Sequence, residues 1–190
     1  MFDFICGEIV EIGEGYVVLK NNGIGFCLTV SQNTLANCSR GKEVQLFCYL
    51  QVREDGWTLY GFSTKTEKNM FLQLISVSGV GCKVAIAILS ATTPEVLANA
   101  IVSGNTTSLC SIKGLGKKTS ERLILELREK VSAFCKDIQA KQLSPEQKNA
   151  LAVLVSLGCS QADATERVKV AYENGATTVQ EIINASLRMN

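Results

Sequence analysis

From Phe2 to Phe62, apolar residues recur at alternate positions or in short runs rich in Val, Ile, Phe and Tyr. The pattern predicts strands over Phe2–Ile12, Tyr16–Lys20, Gly25–Val30, Glu43–Arg53 and Thr58–Phe62. Turn residues separate them at Gly13-Glu14-Gly15, Asn21-Asn22-Gly23 and Asp55-Gly56. Five short strands with glycine at the corners suit a small Greek-key barrel of the OB type. A β-sandwich fragment of this size would be thin on core. The period changes at Ser63. Thr64-x-x-Glu67 reads as a capping box, and Phe71, Leu74 and Ile75 follow at helical spacing. Helices then run to about Phe134, broken at two glycine turns; Thr93-Pro94-Glu95 opens the helix over 93–103 that connects them.

Residues 135–143 are polar, with little periodicity, and read as a short, partly helical linker. Ser144-Pro145-Glu146-Gln147 opens a new helix with a cap, an N1 proline and a reciprocal Gln. Ala150, Val153, Leu154 and Leu157 form its expected apolar face, and Gly158 ends it. Two more helices are expected near Gln161–Tyr172 and Val179–Leu187, the latter capped by Thr178-x-x-Glu181. Three short helices turning at Leu157-Gly158 resemble a UBA-like bundle, a type that binds another protein. The expected fold class is multidomain α+β: a five-stranded OB-like β-barrel (1–63), an all-α helix-hairpin-helix domain (64–134), the linker (135–143) and a small C-terminal three-helix bundle (144–190).

The two glycine turns share one pattern, 35 residues apart. The first reads Ser78-Gly79-Val80-Gly81-Cys82-Lys83-Val84-Ala85, the second Lys113-Gly114-Leu115-Gly116-Lys117-Lys118-Thr119-Ser120. In each, an apolar helical approach meets Gly-apolar-Gly and then a helix that begins with lysine. The first Gly permits a tight reversal. The apolar residue, Val80 or Leu115, pins the turn to the core. The second Gly carries no Cβ, so a phosphate can reach the N–H groups and dipole of the next helix. This is the layout of a helix-hairpin-helix phosphate clamp. A single copy could be a ligand-free αα-turn; two matched copies point to a nucleic-acid backbone.

Charge follows the same division. The chain carries +1 overall, but residues 1–62 sum to −3, residues 63–132 to +4 and residues 133–190 to zero. There is no histidine, which removes histidine-based nucleophile activation and metal ligation, and no P-loop sequence. The eight cysteines (6, 27, 38, 48, 82, 110, 135 and 159) never form a CxxC pair and read as reduced, buried small hydrophobes. No metal and no cofactor are expected. No run suits a membrane helix and no signal pattern opens the chain, so a soluble, cytoplasmic protein is expected.

The strings Val52-Arg53-Glu54-Asp55, Leu59-Tyr60-Gly61-Phe62, Gly79-Val80-Gly81 with Ala85-Ile86-Ala87-Ile88-Leu89, and Gly114-Leu115-Gly116-Lys117-Lys118-Thr119 with Glu121-Arg122-Leu123 occur in that order across three domains. In this the chain resembles the RuvA family, the bacterial subunits that bind Holliday junctions. The resemblance covers the whole chain. It implies a homotetramer, or an octamer on DNA, that holds a four-way junction open by structure and not sequence. It implies a RuvB AAA+ ATPase as motor and a RuvC resolvase as further partner, with no catalysis by this chain. It carries DNA contact to Gly79, Val80, Gly81, Lys83, Gly114, Leu115, Gly116, Lys117, Lys118, Thr119 and Arg122. For Arg122 an i, i+4 ion pair with Glu126 is the equal alternative. It makes Glu54 and Asp55 an acidic pin at the tetramer centre, where the residues alone read as a hairpin tip. It places partner binding at Leu154, Leu157, Gly158 and Ala162, which otherwise read as bundle core. Two departures are visible. Phe2-Asp3-Phe4-Ile5-Cys6-Gly7 lacks the arginines common in relatives, and Cys82 stands where proline is frequent.

Two other functions compete. A helix-hairpin-helix repair enzyme, glycosylase or nuclease, needs a catalytic Lys–Asp pair or a carboxylate cluster for metal, and none stands out in the helical half. A protein adaptor would use the C-terminal bundle and leave the glycine turns structural.

Overall fold

The computed structural model describes residues 2–112, 114–142 and 144–188, and of 133–142, Ala162 and Glu173 the backbone alone. The chain divides into two compact units, Met1–Val131 and Ser132–Asn190. The first opens with five strands, β1 (Phe4–Gly13), β2 (Tyr16–Asn21), β3 (Ile24–Val30), β4 (Glu43–Arg53) and β5 (Gly56–Phe62). They close into a barrel in the order β1-β2-β3-β5-β4, so the expected five-stranded barrel is present. All its pairings are antiparallel except β3 with β5, which meet in parallel at Thr29–Tyr60 and Val30–Gly61. Alternation sends Ile5, Val17, Leu19, Leu28, Val30, Leu46 and Cys48 into one shared core.

A short helix absent from the sequence reading, α1 (Gln32–Ala36), follows β3 and ties the barrel to the helices. Asn33 Nδ2 donates to the carbonyls of Leu89 (2.6 Å) and Thr92 (3.0 Å). The next helix, α2 (Lys65–Ile75), buries Met70, Phe71 and Leu74 completely. Phe71 stacks among Phe62, Tyr49 and Tyr60, at 4.8, 5.3 and 5.4 Å between ring centroids. Fully burying three such side chains contributes about 6 kcal/mol, enough to fix α2 on the outer barrel face.

The cap of α2 differs from the expected capping box. Thr64 accepts from the Glu67 N–H, but the Glu67 carboxylate does not turn back to the cap. It is 3% exposed and accepts from Ser31 Oγ, Thr34 Oγ1 (2.6 Å) and Ser63 Oγ (3.4 Å). A buried carboxylate needs hydrogen-bond donors, and the hydroxyls of Ser31, Thr34 and Ser63 supply them. Helices α3 (Cys82–Ala91), α4 (Pro94–Val102), α5 (Thr106–Cys110, also unforeseen) and α6 (Lys117–Gln142) follow. Leu123, Leu127 and Val131 form the buried stripe of α6. This helix continues through most of the segment read as a linker. Among the described residues no single helix is long and apolar enough to cross a membrane.

The second unit holds α7 (Pro145–Ser156), α8 (Gln161–Glu173) and α9 (Val179–Arg188) around Ala150, Leu151, Leu154, Ala164, Val168, Ala171 and Ile182. Its cap forms as expected: Ser144 and Gln147 make a reciprocal capping box. The expected face of α7 is wrong by one side. Leu151 is buried in place of Val153 and Leu157, which are exposed. The positions i, i+3, i+4 and i+7 counted from Gln147 meet α8 and α9, and an apolar residue off that stripe stays outside.

Candidate nucleic-acid interface

The two glycine turns have the same geometry. In each, the fourth residue closes back on the first: Val80 N–H donates to Val77 O and Leu115 N–H to Ile112 O, both at 3.0 Å. Gly79 and Gly114 occupy that turn with φ of +91° and +97°, where an L side chain is strained. Val80 and Leu115 are buried, pinning each turn. Gly81 is the N-cap of α3 at φ −86°, and the Ala85 N–H donates to its carbonyl at 2.9 Å; Ser120 and Gly116 repeat this bond at the start of α6. Nothing lies within 4 Å of the place where a Cβ would stand on Gly81 or Gly116. Second turn and first helix are neighbours, since a Cβ on Gly114 would meet Val84 Cγ1 at 4.0 Å.

The caps add a contrast. Helices α1, α2, α4, α5, α7 and α8 each have a Ser, Thr or Asn side chain accepting from an early N–H. No side chain caps α3. Lys83, on the first turn of α3, is exposed, and helix-start N–H groups without a side-chain cap suit an anion. Lys117 and Lys118 are exposed on the first turn of α6, Thr119 is half-buried and Arg122 is exposed one turn on. Ion pairs among the described residues join Lys68 to Asp3 and Arg167 to Asp163. Arg122 therefore does not pair with Glu126, and its guanidinium is open to another anion.

Glu54 and Asp55 are the two central residues of the β4–β5 turn, both exposed. The turn centre is one residue earlier than an Asp-Gly turn would put it. Arg53 pairs with Gly56, and Gly56 takes φ +149°. The outer face of this ribbon reaches the first clamp. The Gln51 amide lies 3.3 Å from Tyr60 Oη, and with its oxygen turned toward Arg53 it accepts from Nη2 (3.1 Å) and Nε (3.2 Å). Tyr60 in turn touches the thiol of Cys82, the first residue of α3. Burial pushes that thiol up, against the opposing pull of nearby Arg53. A cysteine at this position thus packs the clamp against the ribbon.

A family model described as the RuvA N terminal domain matches residues 1–61, and one described as a SAM-like helix-hairpin-helix tandem matches residues 71–129. The chain is 36% identical to the Holliday junction branch migration complex subunit RuvA of Christiangramia forsetii over 191 residues, 99% of each chain. It is 36% identical to the subunit of the same name from Dehalococcoides mccartyi, covering 98% of this chain and 97% of the relative. The relative from Neisseria meningitidis serogroup C is 39% identical over 89% of both chains. The chain belongs to the RuvA family.

In this RuvA-family chain the four C-terminal candidates separate. Leu154 lies in the bundle core, whereas Leu157 is 61% exposed and Gly158 is exposed beside it. The side chain of Ala162 lies outside the described residues. The cysteines also differ from expectation. Cys48 and Cys82 are buried, but Cys6, Cys27 and Cys110 are exposed, and Cys135 lies among the residues described by backbone alone. On strands the alternation sends every second residue outward whatever its type, which puts Cys6 and Cys27 on the outer face. The sequence reading missed Glu67 as an anchor and Trp57 as an exposed aromatic. Residue type offers no signal for the first, because Ser31 and Thr34, two of its three hydroxyl partners, stand more than thirty residues earlier in the chain.

Proposed function

We propose that this chain is a non-catalytic DNA-binding subunit that recognises four-way Holliday junctions by their structure and holds them open for branch migration. The observation that carries this reading is the pair of matched glycine turns. Each lifts backbone N–H groups and lysines toward one anion, as sequence-independent grip on phosphates requires. Residues 64–134 bind the DNA through Gly79, Val80, Gly81, Lys83, Gly114, Leu115, Gly116, Lys117, Lys118, Thr119 and Arg122. Residues 1–63 assemble the homotetramer, with an octamer on DNA as its doubled form. Residues 144–190, joined through 135–143, recruit a RuvB ATPase that drives migration, and a RuvC resolvase acts on the same junction. The exposed Val153, Val155 and Leu157 on and after α7 support partner docking there. The compartment is the bacterial cytoplasm.

Glu54 and Asp55 serve as the pin. Their exposed carboxylates repel phosphates at the crossover, which limits over-tight binding and helps separate strands as they change partners. The test is a gel-shift titration of a synthetic four-way junction against linear duplex of equal length at two salt concentrations. Junction preference that weakens with salt supports the reading. Equal binding reduces the chain to a generic clamp protein. Incubating the same complexes with magnesium should leave both DNAs uncut; cleavage would favour a repair enzyme.

A further inference from the structure

The β4–β5 ribbon extends beyond the barrel that supports it. β1 pairs with β4 as far as Phe47, and β3 pairs with β5 from Tyr60 onward. The rungs Leu50–Leu59, Gln51–Thr58, Val52–Trp57 and Arg53–Gly56 pair only with each other. Alternation continues along them. On the inward face Leu46 and Cys48 are core, Leu50 and Leu59 are half-buried, and Val52 and Trp57 emerge at 62% and 77% exposure. An indole combines a large apolar face with an N–H handle and is enriched at interfaces. This one is the only tryptophan in the chain, one rung from the acidic tip.

The charges beside it select the partner. Arg53, Glu54 and Asp55 give each tip a net charge of −1. Where four such tips face one tetramer centre, that charge holds them apart, so the tip of one copy does not seat on the indole of another. A phosphate is repelled by the same carboxylates. What the tip admits is an uncharged flat surface, and a nucleobase unstacked at a crossover is one. We infer that Trp57, backed by Val52, is a stacking platform for a nucleobase exposed at the junction crossover. The inference rests on the junction-binding reading above and adds a residue to it. The pin keeps phosphates away while the indole holds the base whose pairing is being exchanged. Stacking is indifferent to sequence because every base has a π-face, which suits a site that must let any sequence pass.

The single tryptophan reports on itself. Full-length protein is titrated with four-way junction and with duplex of equal length, exciting tryptophan selectively. Junction, and not duplex, should quench and shift the emission. A junction carrying 2-aminopurine at the crossover should be quenched by the native protein and not by Trp57→Ala. Trp57→Ala should lower junction affinity about 5-fold or more, the low end of one base–aromatic stack, leave duplex affinity as it was, and leave the melting temperature unchanged. Trp57→Phe should recover part of the loss. Emission unmoved at saturating junction overturns the inference, as does a blue shift that follows protein concentration without DNA, which would mean that a second copy covers the indole. If the native protein prefers the junction while Trp57 stays silent, only this inference fails. If it shows no junction preference, the reading of function fails first and takes this one with it.

Discussion

Replacing the two glycines of one clamp separates chain reversal from phosphate access. Gly79 sits at φ +91° and nothing lies within 4 Å of a Cβ placed there. The cost of Gly79→Ala is therefore conformational alone. A left-handed non-glycine residue costs about 1–2 kcal/mol, or a drop of roughly 2–8 °C in the melting of a domain of this size. Asparagine tolerates the left-handed region better and a β-branched residue tolerates it least. The stability order at position 79 should be Gly, Asn, Ala, Val, and junction affinity should follow it, because a turn that relaxes its φ swings the start of α3. Gly81 differs. Its φ of −86° and ψ of 170° suit any residue, so alanine loses a little as an N-cap and regains about as much from a less free unfolded chain. Gly81→Ala should melt within about 0.5 kcal/mol of the native protein, yet bind junction more weakly, since its methyl group stands where a phosphate would approach. Thermal melts and gel shifts on the same preparations check both halves. Gly79→Val as stable as the native protein, or Gly81→Ala with native affinity, would refute the division of labour.

Other outcomes follow from the same structure. Lys117→Ala with Lys118→Ala should flatten the plot of log affinity against log salt by about 0.9 for each phosphate no longer neutralised; an unchanged slope would remove these lysines from the interface. Glu67→Ala leaves the buried Ser31 and Thr34 hydroxyls without their acceptor and should cost about 3 kcal/mol in denaturant unfolding, with Glu67→Gln falling between. Glu181 is held below its ordinary carboxylate pKa of 4.5 by the Thr177 N–H first and the Thr178 N–H next. A folded-state pKa below the unfolded one gives stability that is full above the ordinary value and is lost as pH falls through the folded value. The C-terminal bundle should weaken across that acid window, and Glu181→Gln should flatten the dependence in melts followed by circular dichroism.

What the sequence determined by itself was local. A glycine that must reverse the chain, an apolar residue that must pin the turn, a Ser-Pro-x-Gln cap and the alternation of a strand act over a few residues. Each was legible at Gly79, Gly114, Ser144 and β4. Tertiary structure decided where a side chain goes when several partners compete for it. Glu67 had the spacing of a capping box, but the hydroxyls of Ser31 and Thr34 donate to its carboxylate and need an acceptor once buried. Leu151 and Val153 are similar in hydrophobicity, and only the placement of α8 and α9 decided that the first goes in and the second stays out. The helices α1 and α5, at five residues each, are too short for a periodic signal and exist because the packed surroundings hold them. Trp57 fell between the Asp55-Gly56 turn and the strand expected over Thr58–Phe62, and carried no signal of its own. Its exposure follows from where the neighbouring strands β1 and β3 stop, because the end of a sheet is set by pairing between distant segments, which no local pattern along β5 contains.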